Sequence, residues 1–357
     1  MQQYYGHPQT PRPKSKPIVM VLVVVAVMGG MMVLLGAGCF AYLMFTGSPP
    51  KLTETAVTSC KGQVVQGGEC LLRGGSPKLI AVDDQAAYVV YSYDVTLRRV
   101  DLQGQEVTTL VSSEKSILGL ALDRRDVYFI DSDQRELRRV PKSGGSPEVV
   151  AQVKRGGTLR ADPNHEGRIC LLSNGSVLCT PARGEPLRVV SSRGLRQVQG
   201  YVLDGESVYI SYELSSSDHP NVMVTRHEIE RTTVTGGTAE LVSKLGPCTM
   251  MSVDDTHVYC VNGTRVFVVD KSGASWVKLG QIALLTRSFM TPPGNDYLFN
   301  DHGAVFAASK KVESPPRLVV GSKDVWGAAL AVSNGSLYVA EDHGQGGEGA
   351  VFRVAMP

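Results

Sequence analysis

The sequence is poor in aromatic residues, 6% of the chain with two tryptophans, and carries no excess of either charge, with 36 Lys and Arg against 34 Asp and Glu. Three of those basic residues, Arg12, Lys14 and Lys16, are the only charged side chains before Lys51. The body is therefore near neutral, which removes the electrostatic footprint of a nucleic-acid-binding protein. Long Ala, Glu, Lys and Leu tracts are missing, which argues against a helical bundle. There is no His-Glu-x-x-His, no Gly-x-Ser-x-Gly and no phosphate-binding glycine loop, so no reaction is indicated. What is present is 43% hydrophobic and 20% charged residues, with 38 Gly and 19 Pro. That balance excludes disorder across the whole chain and favours many short strands joined by turns.

From Ile18 to Phe45 there are 28 residues without a charge, about 42 Å as a helix against a hydrocarbon core of about 30 Å. We expect a single transmembrane helix at 18–45, because a cleaved signal would have a shorter apolar region. A lipoprotein-type cleavage at Cys39 is the weaker alternative, since Phe40 to Phe45 stays apolar where a polar tether would begin. The basic residues of the first 17 positions place the N-terminus in the cytoplasm and the body outside it, periplasmic or extracellular. The four prolines of 1–17 make that segment an extended, unpacked tail.

Six of the seven cysteines lie beyond the span and fall into local pairs. Between Cys170 and Cys179 lies Asn174-Gly175, a two-residue hairpin signal, and centring the turn there sets the two cysteines opposite each other on a non-hydrogen-bonded rung, close enough for a disulfide. Cys248 and Cys260 flank a turn at Asp254-Asp255, offset by a residue. Cys60 and Cys70 pair by elimination. Three disulfides suit an oxidising outer compartment.

A repeat organises the rest. Ile80-Ala-Val-Asp83 precedes Ala87-Tyr88; Leu120-Ala-Leu-Asp123 precedes Val127-Tyr128; Tyr201-Val-Leu-Asp204 precedes Val208-Tyr209; Met251-Ser-Val-Asp254 precedes Val258-Tyr259; Leu330-Ala-Val-Ser333 precedes Leu337-Tyr338. Weaker copies at Asp162 and Pro293 complete seven units with spacings of 40, 39, 42, 50, 39 and 40. Each unit reads as four strands, for example Leu97-Arg-Arg-Val100 as a third strand and Thr109-Leu-Val111 as a fourth. The last unit stops after its third strand, Ala350 to Val354, while Glu69 to Arg73 stands alone before the first. Pairing the two closes a ring and removes the exposed edges. The expected fold is all-β: a seven-bladed β-propeller of four-stranded blades with 1+3 strand closure, over residues 69–357, after a spacer at 46–68.

Val127-Tyr-Phe-Ile-Asp131, followed by Glu136-Leu-Arg-Arg-Val140 and Gly144-Gly145, resembles the repeat of the Tyr-Trp-Thr-Asp propellers and of bacterial extracytoplasmic propellers of the NHL and TolB-like kind. The resemblance implies a surface-exposed or periplasmic recognition platform.

In a propeller, the loops between second and third strands share one face with the loops between blades. Three of them carry Asp-His: Asp218-His219 in unit four, Asp301-His302 in unit six and Asp342-His343 in unit seven. These six residues are the candidate ligand site, although Asp before a turn is also ordinary hairpin chemistry. The aspartates at 83, 123, 162, 204 and 254 belong to turns on the opposite face, where they cap backbone N–H groups. The tyrosines at 88, 128, 209, 259 and 338 pack between sheets with the hydroxyl on a partner. Asn-Gly-Ser/Thr at 174, 262 and 334 match glycosylation acceptors but serve as turns. Unit four is the long one, and its loop from Glu213 to Asn221 is the first candidate for a partner contact. The inner strands begin near Lys78, Ile117, Thr158, Gln197, Thr249, Ser288 and Gly327, none of them acidic. That argues against a hydrolase with channel-entrance carboxylates, and no catalytic residue, cofactor or metal is assigned. The expected function is a membrane-anchored module of the cell envelope, a non-enzyme that binds or scaffolds another envelope protein or a small ligand. A metal-dependent propeller hydrolase of lactones or esters is the alternative.

Overall fold

The computed structural model describes residues 58–356 apart from short stretches at 61–63, 66–67, 93–94, 104–105, 114–115, 133–134, 155–156, 192–196, 220–221, 245–247, 274–275, 283–287, 302–303, 312–314, 321–326 and 343–347; at 58–59, 64–65, 214–219, 222–226 and 327–328 only the backbone is described. The tail at 1–17 and the run at 18–45 lie outside the described residues. Among the described residues no helix is long and apolar enough to cross a membrane.

Residues 58–356 form seven antiparallel sheets in sequence order. Blade one is Pro77–Val82, Ala86–Tyr91, Thr96–Asp101 and Val107–Ser112. Blade two, from Ile117–Leu122 to Glu148–Gln152, repeats it. The first strands of blades seven, one, two, three, four, five and six touch in that order around a central channel, and seven apolar clusters fill the seams between neighbouring blades. This arrangement explains the sequence of the second strands. Ala86–Tyr91 and Asp126–Asp131 are buried at every position, because both faces of a middle strand press on another blade; such strands read as continuous rather than alternating apolar runs.

The seven inner strands start within a residue of the expected positions, from Pro77 to Gly327. Closure is as expected: Ala350–Ala355 pairs with Gly68–Arg73, with Cys70 opposite Phe352. Two short strands, Thr58–Ser59 and Val64–Val65, add to the outer edge of Gly68–Arg73, so part of the segment assigned to the spacer covers the closing blade. In the other six blades the fourth strand is the edge. Each of those six pairings carries a register shift at the same place, from Leu97/Arg98 in blade one to Val305/Phe306 in blade six. A bulge twists an edge away from neighbours and blunts its tendency to pair with other chains.

All three disulfides form. Cys170 stands directly opposite Cys179 with Cα atoms 4.1 Å apart, and the turn residues Asn174 and Gly175 both have positive φ, 51° and 75°, as a type I′ hairpin demands. Cys60–Cys70 spans 5.5 Å and Cys248–Cys260 spans 5.2 Å between Cα atoms. The register of the last pair differs from expectation: Cys260 faces Met251, so Cys248 is offset by three residues and precedes its strand. The turn holds four residues rather than two, because Asp254 accepts from the N–H groups of Thr256 and His257 and its own N–H donates to the His257 carbonyl.

A second correction concerns unit four. Glu213 to Asn221 is not an added loop; the strands Ser207–His219 and Val222–Thr233 continue the hairpin, with Leu214 opposite Arg226 and Ser216 opposite Val224. Past Glu213, the last residue paired to the inner strand, six more strand residues project as an arm of about 20 Å.

Candidate functional site

Three of the five aspartate turns are built alike; Asp204 instead faces Ser207 across a two-residue turn, and Asp162 accepts the Asn164 N–H and meets His165 and Arg168. In blade two the Asp123 carboxylate accepts the N–H groups of Arg125 and Asp126 at 2.7 and 2.6 Å and the Tyr128 hydroxyl at 2.9 Å. Asp83 with Tyr88 and Asp254 with Tyr259 repeat the geometry, at 3.3 and 2.7 Å. The spacing of five places the tyrosine one strand-turn beyond the aspartate on the same face, so the capping role and the tyrosine partner are one device. Tyr209 and Tyr338 instead meet Arg231 and Arg353.

Sequence reasoning missed what joins the blades. Immediately after the third strand of blades two, five and six stand Lys142, Lys271 and Lys310, and each reaches the turn aspartate of the preceding blade: Asp83 at 2.8 Å, Asp204 at 2.7 Å and Asp254 at 3.4 Å. Lys310 is 6% exposed and also donates to the Pro292 carbonyl at 2.7 Å. Lys142 and Lys310 lie 6.0 and 5.5 Å from the Tyr88 and Tyr259 ring centres, within cation–π range. Between blades two and three the link is different: Gly167 N–H donates to Asp123 at 2.6 Å, and Arg183 pairs with fully buried Asp126 at 3.1 Å.

These contacts set the charges. Burial opposes ionisation of Asp254, but the Tyr259 hydroxyl, two backbone N–H groups and Lys310 outweigh it and hold the carboxyl at about 2. Asp83 is lowered by the same balance, with Lys142 its strongest support. Desolvation wins at Asp126, whose pKa rises despite Arg183. It also wins at Glu341 in the closing blade, which burial pushes up to about 7.

The opposite face holds the candidate ligand residues. Asp301 and Asp342 end the second strands of blades six and seven at equivalent positions. His302 and His343, and the side chains of Asp218 and His219, lie outside the described residues; the backbone of Asp218 and His219 belongs to the arm. Among the described residues no group of three or more His, Cys, Asp or Glu is placed to hold a metal ion.

The channel itself, about 380 Å³, is walled by Leu79, Leu118, Thr158, Met250, Phe289 and Leu330 among others. Tyr201 rivets its wall by donating to the Cys170 carbonyl at 2.6 Å. On the aspartate-turn face the channel opens into a cleft of about 840 Å³ between blades seven, one, two and three, with Ile80, Leu120, Leu159 and Arg160 shared by channel and cleft. Its rim carries Asp84, Arg124, Lys142, Asn164 and Ser333. This cleft was not expected: its residues come from four repeats, and no local motif announces them.

No protein-family model matches the sequence, and no curated protein matches it. The fold is similar to that of a streptogramin B lyase (10% identity, 86% of this chain and 100% of that one, TM-score 0.58). It is also similar to the β-propeller domain of Cps50 (Swd1) from Myceliophteria thermophila (11% identity, 79% and 98%, TM-score 0.57). A third likeness is to PorZ, a bacterial surface component of the type-IX secretion system of Porphyromonas gingivalis (11% identity, 79% of this chain and 38% of that one, TM-score 0.55). At these identities the likeness is one of fold, an all-β seven-bladed propeller.

Proposed function

We propose that this chain is a single-pass membrane protein of the cell envelope whose propeller lies outside the cytoplasm and binds a protein partner through the face that carries the blade-four arm. The observation that carries the reading is the arm itself. Blades one, two, three, five and six join second and third strands by at most four residues, whereas blade four extends both strands as far as His219 and Val222, and a projecting hairpin offers two unpaired backbone edges to a partner strand. The Asp-His loops at Asp301-His302 and Asp342-His343 belong to the same face and extend that surface. The uncharged run at 18–45 with its basic flank supports the anchor, and three disulfides support the oxidising side. A channel wall of Leu, Met and Phe side chains favours binding over metal-dependent hydrolysis.

The test is an affinity pull-down with the intact chain beside a variant in which residues 214–226 are replaced by Asn-Gly, which closes Glu213 onto His227 with a two-residue turn. A partner held by the intact chain and lost from the shortened one is the expected result. A partner retained by both moves the working surface elsewhere, and no partner with either defeats the scaffold reading.

A further inference from the structure

The cleft on the aspartate-turn face has a charge pattern that the packing of the blades does not explain. Most charges around it are answered within the fold. Asp83 has Lys142 at 2.8 Å, Asp123 has the donors described above, and Asp84 accepts the Ser333 hydroxyl at 3.4 Å. Two guanidinium groups are different. Arg160 sits on the inner strand of blade three, opposite Cys170, and lines both the channel and the cleft; Arg124 stands on the blade-two turn at the rim. Neither has a carboxylate partner among the described residues, although Lys142, Lys271, Lys310, Arg168 and Arg183 on the same face all do.

Arg160 is open to solvent, and the cleft around it is lined by apolar as well as polar residues, among them the half-buried Leu120, Leu122 and Val332. A guanidinium takes a carboxylate through two parallel N–H groups. A cleft of about 840 Å³ is in the range of small-molecule sites, which combine apolar walls with a few placed polar groups.

We propose that the mouth of the channel on the aspartate-turn face binds a small organic carboxylate, its charged end on Arg160 and Arg124 and its apolar body against Leu120, Leu122 and Val332. The site lies on the face opposite the arm and stands or falls independently of any partner the arm takes. Calorimetric titration of the intact chain with 1-naphthaleneacetate and, separately, with 1-naphthylmethylammonium tests it. The carboxylate should bind and the ammonium should not. Binding should weaken as salt is raised and fall at least about tenfold in the double variant Arg124→Gln/Arg160→Gln, as expected for loss of charge-assisted hydrogen bonds. Arg125→Gln, the neighbouring turn arginine, is the control and should bind as the parent does. Both arginines in the test are exposed, so an unchanged melting temperature will show that the variant folds. Equal binding of both probes, binding of neither, or carboxylate binding that survives the double substitution would overturn the proposal.

Discussion

The seams between blades differ at one pair of positions. At the seams one/two, four/five and five/six, a turn aspartate on one blade meets a lysine that follows the third strand of the next. At six/seven and seven/one the same two positions hold Pro293 with Met356 and Ser333 with Leu102. The backbone does not change. Lys142, Lys310, Leu102 and Met356 all donate their N–H to the turn of their own blade, at 3.1, 2.7, 2.9 and 3.1 Å. Only the side chains switch: at six/seven and seven/one the aspartate is gone and the lysine is replaced by an apolar residue that packs into the seam cluster, whereas at two/three and three/four Asp123 and Asp162 remain opposite Pro181 and Val234 and take other donors. A buried cation without its counter-charge is costly, so the lysine stands only where the preceding blade supplies the aspartate. The two seams that lack both the aspartate and the lysine of this latch flank blade seven, which is held by closure instead: strand pairing across the chain ends, the Glu69–Arg353 ion pair and the Cys60–Cys70 disulfide.

The largest effects are expected at closure. Gly349 N–H donates to the Gly75 carbonyl and Gly74 N–H to the Gly349 carbonyl, both at 2.9 Å. A Cβ at 349 would lie 2.7 Å from the backbone oxygens of Glu341 and Gly75 and run into the Pro77 ring. None of these is a flexible side-chain tip, so Gly349→Ala should cost about 3 kcal/mol, the upper range for overpacking, read as a fall in the denaturant midpoint at unchanged slope. Removal of the Cys60–Cys70 bridge by paired serines should cost about 2 to 3 kcal/mol by the chain-entropy account, and should free the strand at Thr58–Ser59 to exchange amide hydrogens first. If both variants matched the parent, closure would not be the weak point of the ring.

Closure also shows how far the residues alone could be read. Blade number, the starts of the inner strands, the 1+3 closure and the three disulfide pairs follow from local signals repeated seven times: Asp before an apolar-Tyr run, Asn-Gly between cysteines, an unpaired strand at each end. The latch escaped because it joins residues of adjacent repeats. Its signal was present, a lysine directly after the strands ending Pro141, Asp270 and Ser309, but only alignment of the seven units against one another exposes its pairing with the aspartate of the unit before. The arm was read as a loop because Ser215-Ser-Ser-Asp218 and Pro220 carry turn chemistry; extension of a paired hairpin overrode that local preference. The cleft draws on four blades and has no local signature at all.

Glu341 sharpens the comparison from the closing blade. It is fully buried on the strand that pairs with both Ala328 and Ala350, and burial raises it from 4.5 to about 7. A raised carboxyl favours the protonated form in the folded state, so between pH 4.5 and 7 the folded chain holds a proton that the unfolded chain releases. Its contribution to stability is therefore greatest near pH 4.5 and fades as pH rises through 7. Glu341→Gln should flatten the stability profile across that interval while leaving the profile below it unchanged. A parent profile already flat between those values would show that the group titrates normally.

The smallest effect, and the most specific, belongs to the latch. Asp254 is held at about 2 against an ordinary 3.8, so the stability it supplies is complete above about pH 4 and is lost as pH falls toward 2. Lys310→Leu removes one of its supports and should cost about 1 to 2 kcal/mol at pH 6, between an ordinary hydrogen bond and one to a charged group. The loss should shrink as pH falls, because a protonated Asp254 has no ion pair left to lose, leaving toward pH 2 only the part due to the Lys310–Pro292 hydrogen bond. The double variant Asp254→Ser/Lys310→Leu rebuilds the Ser333/Leu102 arrangement of the seven/one seam at the five/six seam. If the two positions are one unit, the double variant should be more stable at pH 6 than Lys310→Leu alone, since the apolar side chain no longer faces a carboxylate that has lost its counter-ion. Strict additivity of the two single changes would show instead that the serine–leucine seam works only because closure supports it.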